Sequence, residues 1–246
     1  NLGLQRLGQL DASWEYVAWM DADIKLARDG WAEETVHLLQ HHAVLQMFSQ
    51  ARWLKPDHEA HFTAASITKR YHETGRAEWG DTPGILSLQK KGCSGIDVSK
   101  GHPGFAWGFR RHELSHVGGW LDCCVNGSAD LHMAMCYMGQ PQIAVPQGVS
   151  PGYRDAILRF GERCERVVQE NVGYMPGSID HYWHGKTKER GYDDRWKLLV
   201  KYQFDPVTDL VPDAQGLYRW AGNKKGLEYE TRLSLSRRNE DSIDVH

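Results

Sequence analysis

A run of strand length, Glu15-Tyr-Val-Ala-Trp-Met20, stops at two aspartates one residue apart, Asp21 and Asp23, and a helix-compatible stretch over residues 30–41 follows. A mostly apolar run this short reads as a buried strand. Asp29 can cap the helix behind it, with Glu33 and Glu34 near its positive end. Residues 43–49 are again strand-like, and residues 64–72 read as a helix that Gly75 stops. Strands alternating with helices imply crossovers between parallel neighbours, so the expected fold is α/β, a mixed and mainly parallel sheet flanked by helices. Two carboxylates just past a buried strand sit where open α/β sheets bind ligands, and both can approach one hard cation.

Elsewhere the pattern is uneven. Leu2, Leu4, Leu7 and Leu10 are spaced like one face of a short helix. Residues 75–104 are rich in glycine and polar residues and form the expected mobile loop. Residues 105–109 read as a strand, and residues 129–138 as a helix capped by Ser128. Pro151 opens a helix behind Ser150, along which Ala156, Ile157, Phe160, Cys164, Val167 and Val168 recur at helical spacing. A last strand is predicted over residues 179–184, and Trp196, Leu199, Val200 and Gln203 share one side of a final helix. Beyond Asp205 the periodicity is weak. With no internal repeat and no low-complexity linker, residues 1–246 read as a single domain in which 186–246 form a lid and C-terminal appendage.

Composition excludes several classes. A chain of 246 residues that is 41% hydrophobic can bury a sizeable core without disulfide or metal staples. Its net charge of -3, from 29 Lys+Arg against 32 Asp+Glu, argues against a nucleic-acid coat or a polybasic membrane anchor. Five cysteines without a C-x-x-C pair write neither a disulfide framework nor a zinc ribbon, and a reducing cytoplasm is the expected home. No window approaches the roughly 20 apolar residues of a membrane span, so no membrane association is expected.

A second candidate for metal chemistry is His181-Tyr-Trp-His184-Gly185. An imidazole joining carboxylates makes a mixed N/O site suited to Mn²⁺ or a similar divalent ion. Alternation along a strand sends His181 and His184 to opposite faces, so both reach one metal only if the strand ends between them; His184, beside flexible Gly185, is favoured. In a chain with 13 histidines, two ordinary surface or core histidines are the competing account. The third group is Gly118-Gly-Trp-Leu-Asp122 and the following Gly127-Ser-Ala-Asp130. Asp130 in a first helical turn answers the helix dipole, or, held near a cleft, takes a proton from an attacking hydroxyl.

In this order, the strand with Asp21-Ala-Asp23, Gly104-Phe-Ala-Trp107-Gly-Phe-Arg-Arg111, Gly-Gly-Trp-Leu-Asp122 with Asp130, and His-x-x-His-Gly resemble the GT-A-fold nucleotide-sugar glycosyltransferases, most of all GT2-like members, over residues 1 to about 200. The resemblance implies a GT-A-like domain and a metal-dependent, inverting transfer of sugar from a nucleoside-diphosphate sugar, a UDP-sugar first, to an acceptor hydroxyl. It implies that Asp23 ligates an Mn²⁺ or Mg²⁺ bridging the donor phosphates, with His184, helped by His181, completing the shell, and that Asp21 lies near the ribose or metal. Asp130 corresponds to the last acid of the family's paired acidic signature and would be the catalytic base, although Ala129 precedes it where the family has an acid. Asp122 would serve at the acceptor side of the catalytic centre. Gly104 and Trp107 would face the donor, Lys186, Lys188 and Arg190 would close over its phosphates, and Trp120 and Trp183 would offer indole faces to the acceptor sugar.

The acceptor stays open between a surface polysaccharide and a modified base in phage DNA, the latter in host cytoplasm; the net charge does not favour DNA, but a local basic stripe over residues 186–195 would suffice for it. Two rivals use the same residues: a metal-dependent phosphoester hydrolase and an inactive nucleotide-sugar binding module. In the family the aspartate pair follows a nucleotide-binding half of alternating strands and helices, and twenty residues cannot supply it, since one βαβ unit takes roughly 30. The 246 residues are therefore expected to be the later part of a longer polypeptide, with the run Tyr16 to Met20 at an open sheet edge.

Overall fold

The computed structural model describes residues 1–76, 100–185 and 195–238. In chain order the elements are α1 (Leu2–Leu10), β1 (Tyr16–Met20), β2 (Ile24–Leu26), α2 (Trp31–Leu38), β3 (Val44–Gln46), β4 (Gln50–Leu54), β5 (Ala60–Ala65), α3 (Ile67–Thr74), β6 (Ala106–Arg110), α4 (Arg111–Val117) and α5 (Ala129–Tyr137). They continue with α6 (Pro141–Ala144), α7 (Pro151–Val167), β7 (Val172–Tyr174), β8 (Ser178–His181), α8 (Arg195–Lys201), α9 (Pro206–Asp209), β9 (Leu210–Pro212), β10 (Tyr218–Trp220) and α10 (Lys225–Ser236). The fold is mixed α/β, and among the described residues no helix is long and apolar enough to cross a membrane.

Two four-stranded sheets carry the architecture, ordered β1-β6-β3-β7 and β2-β8-β4-β5. Only β3 with β7 and β4 with β8 run parallel; β1 with β6, β3 with β6, β2 with β8, β4 with β5 and the β9-β10 hairpin are antiparallel. The expectation of a mainly parallel sheet is thereby corrected. Part of the reason lies at residues 55–59, where Lys55 N–H donates to the Glu59 carbonyl and Asp57 Oδ1 accepts from Glu59 N–H. That tight turn returns β5 directly along β4, so no helical crossover intervenes. β1 lies at the edge of its sheet with β6 as its antiparallel neighbour, half-buried except for Met20, which is 40% exposed.

The main core lies where the first sheet meets α5 and α7, with Trp107, Phe109, Tyr137, Tyr153, Ile157 and Phe160 fully buried or nearly so. Local signals explain several helix ends. Ser66 Oγ accepts from Lys69 N–H to start α3, Gly75 in the left-handed region ends it, and Ser150 Oγ accepts from Tyr153 N–H behind Pro151. Asp29 is not a cap, however: Gly30 takes that position of α2, and Ser128 sits before α5 with φ 69° and no side-chain cap bond.

Weak periodicity after Asp205 does not mean weak structure. The fully buried Asp209 carboxylate accepts from Lys224 Nζ at 2.7 Å, Asn223 Nδ2 at 2.7 Å and Asp205 N–H at 2.8 Å, tying α9 to the start of α10. A polar network of this kind leaves no apolar stripe in the sequence.

Candidate metal centre

Asp23, His181 and His184 meet where the two sheets approach each other. At the end of β1 the chain turns, with Asp21 N–H donating to the Phe105 carbonyl at 2.8 Å, and enters β2, which pairs with β8 in the register Ile24 opposite His181. Tyr182 N–H donates to the Asp23 carbonyl at 2.9 Å, so the second aspartate stands beside the end of β8. That strand stops at His181, which frees the following residues from alternation and lets His184 turn back onto its neighbour. Asp23 Oδ2 lies 3.4 Å from His181 Nε2 and 3.3 Å from His184 Nε2, and the two imidazole nitrogens are 3.0 Å apart.

These separations fit a shared divalent ion. Ligand atoms about 2.1 Å from one ion subtend roughly 3.0 Å at a right angle and 3.4 Å at a tetrahedral angle. Two imidazoles and one carboxylate suit Mn²⁺ or Zn²⁺ better than an all-oxygen ion, and three protein ligands leave coordination positions for water or substrate oxygen. Among the described residues this is the one group of three such side chains close enough to hold a metal. Burial pushes the Asp23 carboxyl up, but the hydrogen bond to His181 and the charges of both imidazoles outweigh it and hold the group below its ordinary value.

An aromatic wall stands behind His181. Its ring lies 4.7 Å from Phe105 and 5.8 Å from Trp53, while Phe105 stacks on His102 at 3.9 Å and Trp53 stacks on Phe62 at 4.6 Å. Phe105 sits at φ 79°, a conformation costly for a side-chain-bearing residue, and it is in this state that its carbonyl meets Asp21. Beside it, a Cβ on Gly104 would come within 2.8 Å of Asp130 Oδ2 and 3.1 Å of His102 Cε1, so the absence of a side chain there lets the Asp130 carboxylate approach the backbone. Gln46, fully buried, fixes this segment: its Nε2 donates to the His102 carbonyl at 2.8 Å and the Gly104 carbonyl at 3.3 Å, while its Oε1 accepts from Thr68.

Of the residues singled out from sequence, Asp23, His181 and His184 converge, and Asp130 lies against Gly104, next in the chain to the Phe105 that packs on His181. Asp21 is half-buried and stands outside the three-ligand group. Trp107 is corrected: at 1% exposure, with its indole N–H donating to the Pro103 carbonyl, it is a core residue with no face for a donor. Trp120 is half-buried, its indole edge-on to Phe109 and its Nε1 buried. Asp122 is exposed and accepts from Asn1 Nδ2 at 2.7 Å. Trp183 is half-buried beside His184. Lys186, Lys188 and Arg190 lie outside the described residues, as does most of the stretch expected to be mobile; its last part, residues 101–104, is instead pinned, with His102 N–H donating to the Ala65 carbonyl.

Sequence reasoning passed over His102, Phe105, Trp53 and Gln46. The Gly101-His102-Pro103-Gly104 segment was the one available signal, since glycines flanking a His-Pro pair mark close backbone approach. The chain matches no family model, no curated protein and no solved structure.

Proposed function

We propose that this protein is a metal-dependent glycosyltransferase of GT-A-like fold, moving a sugar from a nucleoside diphosphate to an acceptor hydroxyl. The reading rests on one observation: Asp23, His181 and His184 form a group close enough to hold a divalent ion, and the ring of His181 packs on Phe105, the neighbour in sequence of the Gly104 against which the Asp130 carboxylate lies. When bound, the divalent cation would supply charge stabilisation to the departing diphosphate. Asp23, His181 and His184 hold that cation, and two imidazoles among its ligands favour Mn²⁺ over Mg²⁺. Asp130 accepts the proton of the attacking hydroxyl, in keeping with inversion. The aromatic wall keeps His181 in one orientation and excludes water from its outer face.

Thermal unfolding with Mn²⁺ and a panel of nucleoside diphosphates, paired with release of diphosphate from the matching sugar nucleotides, tests the reading. A ligand that binds only the folded state raises the midpoint by mass action. The expected result is a rise that needs metal and diphosphate together. Stabilisation by Mn²⁺ alone, with cleavage of simple phosphoesters, would point to hydrolase chemistry. Binding without turnover would leave a nucleotide-sugar binding module.

A further inference from the structure

A second pair of imidazoles stands on α4, away from the Asp23 centre. His112 and His116 are four residues apart, one turn along the same helix face. That face is exposed because the opposite one is docked: Leu114 and Val117 are buried, and Arg163 Nε of α7 donates to the Val117 carbonyl at 2.6 Å. The first turn is tied down as well, with the buried Glu113 carboxylate 2.6 Å from the Arg110 guanidinium.

The two rings lie 4.2 Å apart, close to the 4.7 Å that separates His181 from His184. Each Nδ1 lies beside an acceptor. His116 Nδ1 is 2.7 Å from the His112 carbonyl, which can only accept, so this nitrogen donates and the neutral ring keeps its lone pair on Nε2. His112 Nδ1 is 3.5 Å from Glu113 Oε1, and a carboxylate there favours the same tautomer. An imidazole whose Nδ1 proton is held by a carbonyl or carboxylate is oriented, and made more basic, for binding a metal through Nε2. His37 and His41 share the spacing without this support: their rings are 5.7 Å apart at 79°, and among the described residues neither ring makes a hydrogen bond. Spacing is common to both pairs; the held tautomers belong to one.

Both α4 histidines line a cleft of about 570 Å³, together with Glu15, Tyr16, Arg110 and Ser115. The cleft flanks the start of β1, where Tyr16 pairs with Arg110, whereas the Asp23 centre follows its far end, where Met20 pairs with Ala106. A strand of five residues, at roughly 3.3 Å each, separates the two, so they are independent sites. Two imidazoles select a borderline ion such as Cu²⁺, Ni²⁺ or Zn²⁺ over Mg²⁺ or Ca²⁺. An ion on two protein ligands keeps coordination positions for water or for another oxygen or nitrogen ligand, and the cleft gives these access.

We propose that His112 and His116 form a second metal site, binding a borderline divalent cation through their Nε2 atoms. It does not depend on the glycosyltransfer reading. Calorimetric titration with Ni²⁺ tests it on the wild type, His112→Gln, His116→Gln and His37→Gln. Glutamine is a good helix former at exposed positions, and circular dichroism checks that each variant is folded. Removing one of two ligands should weaken one equivalent of Ni²⁺ by about tenfold or more in each α4 variant, while His37→Gln stays within about twofold of the wild type. Stabilisation by Mn²⁺ with nucleoside diphosphate should be the same in all four proteins, so a failure of the Asp23 centre is read separately. A wild type that takes up no Ni²⁺, or an α4 variant with wild-type affinity and stoichiometry, would overturn the proposal. Equal loss in His37→Gln would overturn it too, by making the binding a general property of exposed histidines.

Discussion

Two carboxylates in this protein, Asp23 and Asp209, face the same electrostatic problem and resolve it differently. Burial pushes each one up, and local partners bring each one below its ordinary value. Asp209 is enclosed by the Lys224 ammonium, the Asn223 amide N–H, the Asp205 backbone N–H and the Thr208 hydroxyl, each of them donating to it. Such a network is complete, and any cation entering would have to displace a bond already made. Asp23 is faced by imidazoles, which donate a proton in one state and offer a lone pair in another. The same geometry therefore serves a proton or a metal ion. Partner exchangeability, more than burial or the direction of a pKa shift, separates the candidate metal ligand from the structural acid.

Breaking the exchangeable centre should have the largest effect. Asp23→Asn leaves a weaker ligand for a hard cation, so the stabilisation by Mn²⁺ with nucleoside diphosphate, about 2.7 kcal/mol at a hundredfold excess over Kd, should vanish while the apo-protein unfolds at its usual midpoint. Retained Mn²⁺-dependent stabilisation in that variant would end the metal reading.

Asp130 sharpens the contrast, being a carboxylate against Gly104 and outside the ligand group. Asp130→Asn is expected to lower turnover by about a hundredfold without weakening metal and diphosphate binding. Steady-state kinetics beside calorimetric titration separates the two quantities, and unchanged kcat would shift the base assignment to Asp122.

On the structural side, Lys224→Met strands a buried carboxylate and should cost about 2 kcal/mol in urea unfolding, with metal binding untouched. The Asp209 pairing has a pH signature of definite sign. Its folded value is depressed, so its contribution is complete above the ordinary carboxylate value, near 4, and is lost as pH falls through the lower folded value. Lys224→Met should lack most of that acid-side decline; an acid limb matching the wild type would mean that Asp209 is held by its amide and backbone partners instead.

A separate pH signature concerns a third histidine. His132 is fully buried on α5, 3.0 Å from the Tyr153 hydroxyl, and burial lowers it from 6.5 to about 3. It stays neutral in the folded chain while the unfolded chain takes up a proton below 6.5. Stability is therefore whole above that value and declines as pH falls from 6.5 toward 3, by at most about 1.4 kcal/mol per pH unit. In His132→Gln the stability curve over that interval should be flatter; an identical slope would exclude His132 as its source.

Much of the local structure was legible. The helix behind Ser150 announced itself through its Ser-Pro start, the end of α3 through Gly75, and the strand Tyr16–Met20 through its apolar run. The β4-β5 hairpin was not, because Ala64 and Ala65 carry no period and read as the start of α3. Trp107 misled for a related reason: an indole in a motif looks the same whether it meets a sugar or packs on Tyr137. The elements within the C-terminal appendage after Asp205 were not legible, because the Asp209–Lys224 ion pair joins residues fifteen apart and leaves no periodic mark.

Sequence by itself determined the inventory at the site: an aspartate past a strand, two histidines three apart, an acid in a first helical turn and a glycine-flanked His-Pro pair. It even posed the condition for the histidines, that the strand must end between them. Tertiary structure decided that condition, since β8 stops at His181 through its pairing with β2 and β4, which are distant in the chain. It decided also that Asp130 and His102 share one glycine. Spacing along a chain fixes which faces neighbouring residues present, whereas the meeting of Asp23 with His184, or of Asp130 with Gly104, depends on sheet register and packing that no local pattern encodes.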